Sequence, residues 1–188
     1  MIYRLRAKFA KYFIRRILKK EDRPVKVVDF SKPASIGILF KDVDEQLLRK
    51  IEKMAADIKS RFNTKKIDIL GYTTKKSKNL PVYITKSVKA NFFTLGQTNF
   101  FLKPNAESAR LFMNKKYDVL IDFSKNKFEP LKYITALTPS SLKIGRYAEQ
   151  DEAFYDLMLN LEEHKTEEEF FKELVHYLGM INDNNEKK

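Results

Sequence analysis

Basic side chains are the residues whose number and spacing point to chemistry, and that chemistry is the binding of polyanions. The first twenty residues contain no acidic residue and eight basic ones: Arg4, Arg6, Lys8, Lys11, Arg15, Arg16, Lys19 and Lys20. Each Lys or Arg that meets a phosphate releases condensed counterions, so such a set favours polyanions at low salt. A smaller basic group follows in a polar segment: Lys75, Lys76 and Lys78. We therefore predict that these residues bind RNA or the ribosome, with an anionic membrane surface as the alternative.

Residues for catalysis, metal binding or cofactor binding are scarce. The chain has no Cys, so disulfides, thiolate metal sites and cysteine nucleophiles are excluded. Its five glycines form neither the G-x-G-x-x-G nor the Walker pattern that brings backbone close to a phosphate. His164 and His176 lie twelve residues apart and match no metal-binding spacing. The sequence thus predicts no catalytic residue, no metal and no cofactor, and it favours a non-enzymatic protein.

Four polar residues follow or end predicted strands, where a ligand crevice would form. They are Asp42, Asp122, Ser124 and Arg146. In an open α/β sheet, ligands bind beyond the carboxyl ends of the strands. A structural interpretation is favoured for the same residues: Asp42 caps a helix, Asp122 is a strand-end carboxylate and Arg146 is a solvated base. Both interpretations stay open.

The basic N-terminus is predicted to be an amphipathic helix. At 100° per residue, one stripe contains Arg4, Lys8, Lys11, Arg15 and Lys19. The opposite side contains Leu5, Phe9, Tyr12, Phe13 and Ile17. This apolar side has three possible uses: packing on the protein's own core, stacking on nucleic-acid bases, or insertion into a membrane interface. Pro24 ends the segment, which gives a helix over 1–22 and a linker over 23–34.

The remainder is predicted to form a single α/β domain over 35–181, with a flexible tail over 182–188. Apolar runs predict strands at 35–40, 66–72, 91–95, 117–123, 141–145 and, less distinctly, 154–161. Helical spacing predicts helices near 44–62, 105–115, 128–137 and 166–181, the last with Thr166 and Glu169 as a capping box. Alternating strands and helices predict a Rossmann-like, mostly parallel sheet with helices on both faces.

Charge and hydropathy indicate in which cellular compartment the protein is expected. The formal net charge is +12, although residues 149–188 contain twelve acids and only four bases. No apolar run approaches the ~18 residues that a membrane-spanning helix needs. We therefore expect a cytoplasmic protein with a basic arm, a basic body and an acidic C-terminal region.

Three segments carry a resemblance to known families: YDVLIDFS at 117–124, PLKYITAL at 130–137 and SLKIG at 141–145. Together they resemble an uncharacterised domain-of-unknown-function family of Bacteroidota over nearly the whole chain, which implies no activity. They are similar, more weakly, to the N-terminal half-domain of heptosyltransferase-like GT-B glycosyltransferases. That resemblance implies a Rossmann-like fold and, as a third possibility, a degenerate or partner-dependent sugar-nucleotide enzyme. FKDV at 40–43 replaces the glycine-rich turn expected after the first strand.

Overall fold

The computed structural model describes residues 2–20, 25–26, 28–29, 32, 34–41, 44–124, 129–161 and 166–186, the last six by backbone alone. Within these residues the chain forms six strands: β1 Ala34–Lys41, β2 Thr64–Thr73, β3 Ala90–Thr94, β4 Tyr117–Asp122, β5 Ser140–Arg146 and β6 Leu157–Leu159. It also forms six α-helices: α1 Ile2–Leu18, α2 Glu45–Arg61, α3 Val82–Thr85, α4 Glu107–Met113, α5 Glu129–Leu137 and α6 Glu167–Glu186.

All six strands belong to one parallel sheet in the order β3-β2-β1-β4-β5-β6. The chain runs outward from β1 to β3, then crosses to β4 and runs outward in the other direction. The predicted Rossmann-like architecture and the N-terminal helix are thereby confirmed. The apolar run of β1 is buried on both faces because helices cover both sides of a parallel sheet.

Alternate residues of β1 separate the two halves of the core. Ile36, Ile38 and Phe40 pack on the face covered by α2 and α6. Leu39 packs on the opposite face, which α4 and α5 cover. The helix α1 forms a further layer outside α5. On this face the sheet, α5 and α1 therefore form three successive layers, with α1 outermost.

Local signals explain several helix boundaries. The Asp44 carboxylate caps α2 by accepting from the backbone N–H of Leu47 at 2.8 Å. The predicted capping box precedes α6: the Thr166 N–H donates to the Glu169 carboxylate at 2.7 Å, and the Glu169 N–H donates to the Thr166 hydroxyl at 3.3 Å.

The predicted strand over 154–161 is much shorter, since only residues 157–159 pair with β5. None of the described helices is long and apolar enough to cross a bilayer.

Candidate anion-binding surface on the N-terminal helix

The helix α1 is docked on the domain. Ala10 and Ile14 are 0% and 2% exposed. They pack in one cluster with Leu102, Tyr133 and Ala136, which lie in the segment after β3 and in α5. The basic N-terminus is therefore a fixed part of the surface.

The docked side of α1 differs from the apolar side in the helical projection. Leu5, Phe9 and Tyr12 were expected on the apolar side, yet they remain 51%, 43% and 57% exposed. The buried side is centred on Ala10 and Ile14, about 100° further round the helix. A small side chain at Ala10 lets α5 approach closely, whereas the projection gave weight only to large apolar residues. The signal that the projection missed was the alanine.

The cationic stripe is defined by Arg4, Lys8, Lys11, Arg15 and Lys19, and all five residues are exposed. Within the part of the chain that the structure describes, four of these side chains have no ion-pair partner. The fifth, Lys11, approaches the Glu129 carboxylate at 3.8 Å. Arg16 and Lys20 are exposed beside the stripe. The outer side of α1 therefore presents a row of cations that the described residues hardly neutralise.

Arg6 has a different role from the other basic residues of α1. Its Nε donates to the Phe100 carbonyl at 3.0 Å, and one terminal nitrogen donates to the Asn99 carbonyl at 3.0 Å. The same nitrogen lies 3.4 Å from the Thr98 hydroxyl. The Arg6 guanidinium thus fastens α1 to the segment after β3, so fewer of its donors are available to an external anion.

Aromatic rings cover the junction between α1 and this segment. Phe101 lies at the centre, with ring centroids 4.8 Å from Phe13, 5.4 Å from Phe100 and 6.1 Å from Phe9. The three contacts have interplanar angles of 61°, 88° and 75°, which are the edge-to-face arrangements that aromatic quadrupoles favour. Phe9, Phe100 and Phe101 remain exposed. Aromatic surface and exposed cations are therefore adjacent.

The first turn of α1 is held by a buried carboxylate. The Tyr3 hydroxyl donates to Glu129 at 3.2 Å, at the start of α5. Burial, together with the charge of the Glu129 carboxylate, raises the pKa of Tyr3 to about 12. This contact fixes the N-terminal end of the stripe.

The second predicted basic group, Lys75, Lys76 and Lys78, contains one lysine that contacts another side chain and two that are exposed. Lys75 donates to the Tyr83 hydroxyl at 2.5 Å and lies 4.9 Å from the centre of that ring. Lys76 and Lys78 are exposed in the segment after β2. This segment therefore adds two exposed cations at the carboxyl edge of the sheet.

The predicted crevice residues are largely engaged inside the protein. Asp122 is 1% exposed, and its carboxylate accepts from the Tyr155 hydroxyl at 2.6 Å and from the Ser124 N–H and hydroxyl at 2.9 Å and 2.5 Å. The Tyr155 hydroxyl accepts from Lys132 at 2.7 Å, and Lys132 pairs with Asp151 at 3.1 Å. Burial and the Asp122 charge raise the pKa of Tyr155 well above its ordinary value. Asp122 and Ser124 thus belong to a buried polar network.

Arg146 is half-buried, not a solvated base. It donates to the Thr166 carbonyl at 3.0 Å, and its guanidinium stacks 4.8 Å from the centre of the Phe170 ring. Its Nε is buried with no hydrogen-bond partner among the described residues, and burial lowers the pKa of Arg146. Asp42 lies outside the described residues. The structure therefore brings Asp122 and Ser124 together, and it ties Arg146 to the start of α6.

Sequence reasoning did not find Lys132, Tyr155 or Asp151. They come from α5 and from the segment between β5 and β6, and no spacing links them along the chain. No group of three or more His, Asp or Glu side chains with metal-binding geometry occurs among the described residues.

Comparison with known proteins places the chain in a family. No curated protein and no solved structure matches it significantly, so the similarity to glycosyltransferase half-domains and the Bacteroidota origin stay predictions. A family described as of unknown function, DUF6913, matches residues 6–181, which include most of α1 and the whole sheet. The chain therefore belongs to this family of unknown function, DUF6913, in agreement with the predicted membership of an uncharacterised family.

Proposed function

We propose that this protein is a non-enzymatic binding protein that engages RNA, free or on the ribosome, through the outer side of α1. The observation that supports this most is the cationic stripe: four exposed side chains with no ion-pair partner among the described residues, on a helix that is fixed to the domain. Because the helix is docked, its side chains are held in one row, and less conformational entropy is lost on binding than for a free tail.

The dimensions of the stripe suit an extended polyanion. From Arg4 to Lys19 the helix rises about 22 Å at 1.5 Å per residue. Successive stripe residues are three or four positions apart, which places their Cβ atoms about 5–6 Å from one another. A row of this length can contact several phosphates at once, and each such contact adds to the salt dependence of binding.

The test compares two variants with the same loss of charge. In the stripe variant, Arg4, Lys8, Arg15 and Lys19 are changed to Gln. In the control variant, four exposed lysines away from α1 are changed to Gln: Lys53, Lys59, Lys65 and Lys116. The stripe variant should lose most of its affinity for structured RNA at low salt, whereas the control should keep it. Equal losses in both variants would show that RNA responds only to net charge and would contradict the proposal.

A second candidate function is attachment to an anionic membrane surface, and one observation favours it. Ile2, Leu5, Phe9 and Tyr12 form an exposed apolar strip beside the stripe. Helices that lie in a membrane interface combine such a strip with Lys and Arg. Changing Leu5 and Tyr12 to Gln, which should leave the docked side intact, abolishes flotation with phosphatidylglycerol vesicles if this function is right. It leaves RNA binding unchanged if the first is right.

A further inference from the structure

A groove lies between the second half of α1 and the segment 99–103. Its volume is about 300 Å³. Eight residues line it: Phe13, Arg16, Ile17, Lys20, Asn99, Phe101, Lys103 and Tyr133. This volume is at the lower end of the range for small-ligand sites. The groove is therefore large enough for one compact group and too small for an extended cofactor.

The outer wall of the groove is a rigid loop. The Asn99 side-chain oxygen accepts from the backbone N–H of Phe101 at 2.9 Å and of Lys103 at 3.0 Å. Leu102 has a φ of 61°, in the left-handed region that a non-glycine residue adopts only when its surroundings impose it. Leu102 itself is fully buried under α1. This turn leaves Phe101 and Lys103 exposed on the groove side.

The charged residues that line the groove, in the part of the chain that the structure describes, are all basic. Arg16, Lys20 and Lys103 are exposed at its rim, and none of the described residues that line it is acidic. None of the three cations has an ion-pair partner within the described residues. These cations favour a ligand with negative charge, and phosphate is a group that Lys and Arg residues commonly bind.

The interior of the groove combines ring surface with hydrogen-bonding groups. Phe13 and Phe101 contribute aromatic surface, and Asn99 contributes an amide. Tyr133 is 2% exposed, yet its hydroxyl has no hydrogen-bond partner in the described part of the chain. Burial raises the pKa of Tyr133 to about 12, so the hydroxyl stays protonated and can donate. An acyl chain would leave the Tyr133 hydroxyl and the Asn99 side-chain N–H groups unpaired, which costs free energy, whereas a nucleobase can pair with them.

We propose that this groove binds one nucleotide of a single-stranded RNA, with the base stacked on Phe101 and the phosphate held by Arg16, Lys20 and Lys103. This inference rests on the proposed function, because neighbouring nucleotides of the same strand reach the cationic stripe through Arg15 and Lys19. Aromatic stacking with flanking cations is the arrangement by which proteins hold single strands without reading their sequence. The proposed stacking would use the part of the Phe101 ring that stays exposed within its aromatic cluster.

The experiment measures the affinity of the full-length protein for two fluorescein-labelled strands, each about ten nucleotides long. One is oligoadenylate, and the other has the same backbone with abasic sites. Phe101→Leu keeps apolar volume against Phe13 and removes the flat ring. The matched control is Phe100→Leu, because Phe100 is exposed beside the groove and does not line it. Phe101→Leu should weaken oligoadenylate about 5-fold or more and leave the abasic strand unchanged.

Further variants keep the result interpretable. Lys103→Gln should weaken both strands alike, because it removes a phosphate contact. Tyr133→Phe removes only a hydroxyl, so it replaces Phe101→Leu as the test variant if Phe101→Leu fails to fold. It should lower the affinity for oligoadenylate about 5-fold and leave the affinity for the abasic strand unchanged. AMP should compete only at far higher concentration than the strand.

Four results would overturn the inference. The first is that Phe101→Leu and Phe100→Leu weaken RNA binding equally, and the second is that Phe101→Leu also loses affinity for the abasic strand. The third is that AMP binds as tightly as the strand. The fourth is that Phe101→Leu loses vesicle flotation to the same extent as RNA affinity. If the stripe variant loses RNA binding and the groove variants do not, the groove assignment fails and the proposed function stands. If the unaltered protein binds neither strand nor structured RNA, both fail.

Discussion

Ile14→Ala should release α1 from the domain without unfolding the sheet. Ile14 is almost fully buried against the neighbourhood of Tyr133 and Ala136. Shortening a buried Ile to Ala typically costs 2–5 kcal/mol. We expect about 2–3 kcal/mol, because α1 is the outermost layer and its surroundings can relax into part of the cavity. Since every 1.4 kcal/mol is a factor of ten, the docked state of α1 becomes about 30- to 150-fold less favoured.

Hydrogen exchange followed by mass spectrometry measures this loss locally. Amides of α1 should lose protection by the same factor, whereas amides of β1 and β4 should keep theirs, because the sheet buries its own core between α2, α6, α4 and α5. Leu5→Ala is the control, since Leu5 is exposed and should change protection little. Equal loss of protection in α1 and β4 would refute the idea that α1 is a separately docked layer. No change in α1 would refute the assignment of its docked side.

Three further predictions concern the buried polar network, the glycines and the tyrosine at the N-terminus. Lys132→Met should cost about 3–5 kcal/mol in the free energy of unfolding by denaturant, because it leaves a buried carboxylate unpaired. Gly145→Ala should cost about 1–3 kcal/mol in the same assay, because a Cβ there would lie 2.6 Å from the Tyr155 ring; Gly179→Ala, with open space around it, should be neutral or stabilising. The raised pKa of Tyr3 means that its contribution is intact below pH ~10 and is lost as pH rises toward 12, so Tyr3→Phe should flatten the fall of stability in that window, measured by chemical unfolding.

The parts of the fold that follow from local pattern could be predicted from the sequence. The apolar runs of β1 and β4 gave buried parallel strands, and Thr166 with Glu169 gave the start of α6. The side of α1 that docks could not be predicted in the same way, because it depends on how closely α5 approaches Ala10. That distance is a property of two packed elements and does not appear in a one-helix projection.

The sequence predicted the exposed cations of the candidate site, but it did not predict the groove beside them. Exposed cations at Arg4 and Arg15 follow from composition and helical spacing. The groove depends on the left-handed backbone at Leu102. Glycine or asparagine would have indicated such a backbone, but the residue at this position is leucine. The Asp122 carboxylate was likewise expected at a strand end, yet its capture by Tyr155 requires a segment 33 residues further along the chain. Contacts of this range are set by the assembled sheet and by no local signal.

The salt dependence of RNA affinity is the most direct test of the cationic stripe. For single strands, each phosphate contact contributes about 0.7 to the slope of the logarithm of affinity against the logarithm of salt concentration. Changing Arg4, Lys8, Arg15 and Lys19 to Gln should therefore reduce that slope by about 3, while the four-lysine control leaves it nearly unchanged. A stripe variant with the slope of the unaltered protein would contradict the assignment of α1 as the RNA-binding surface.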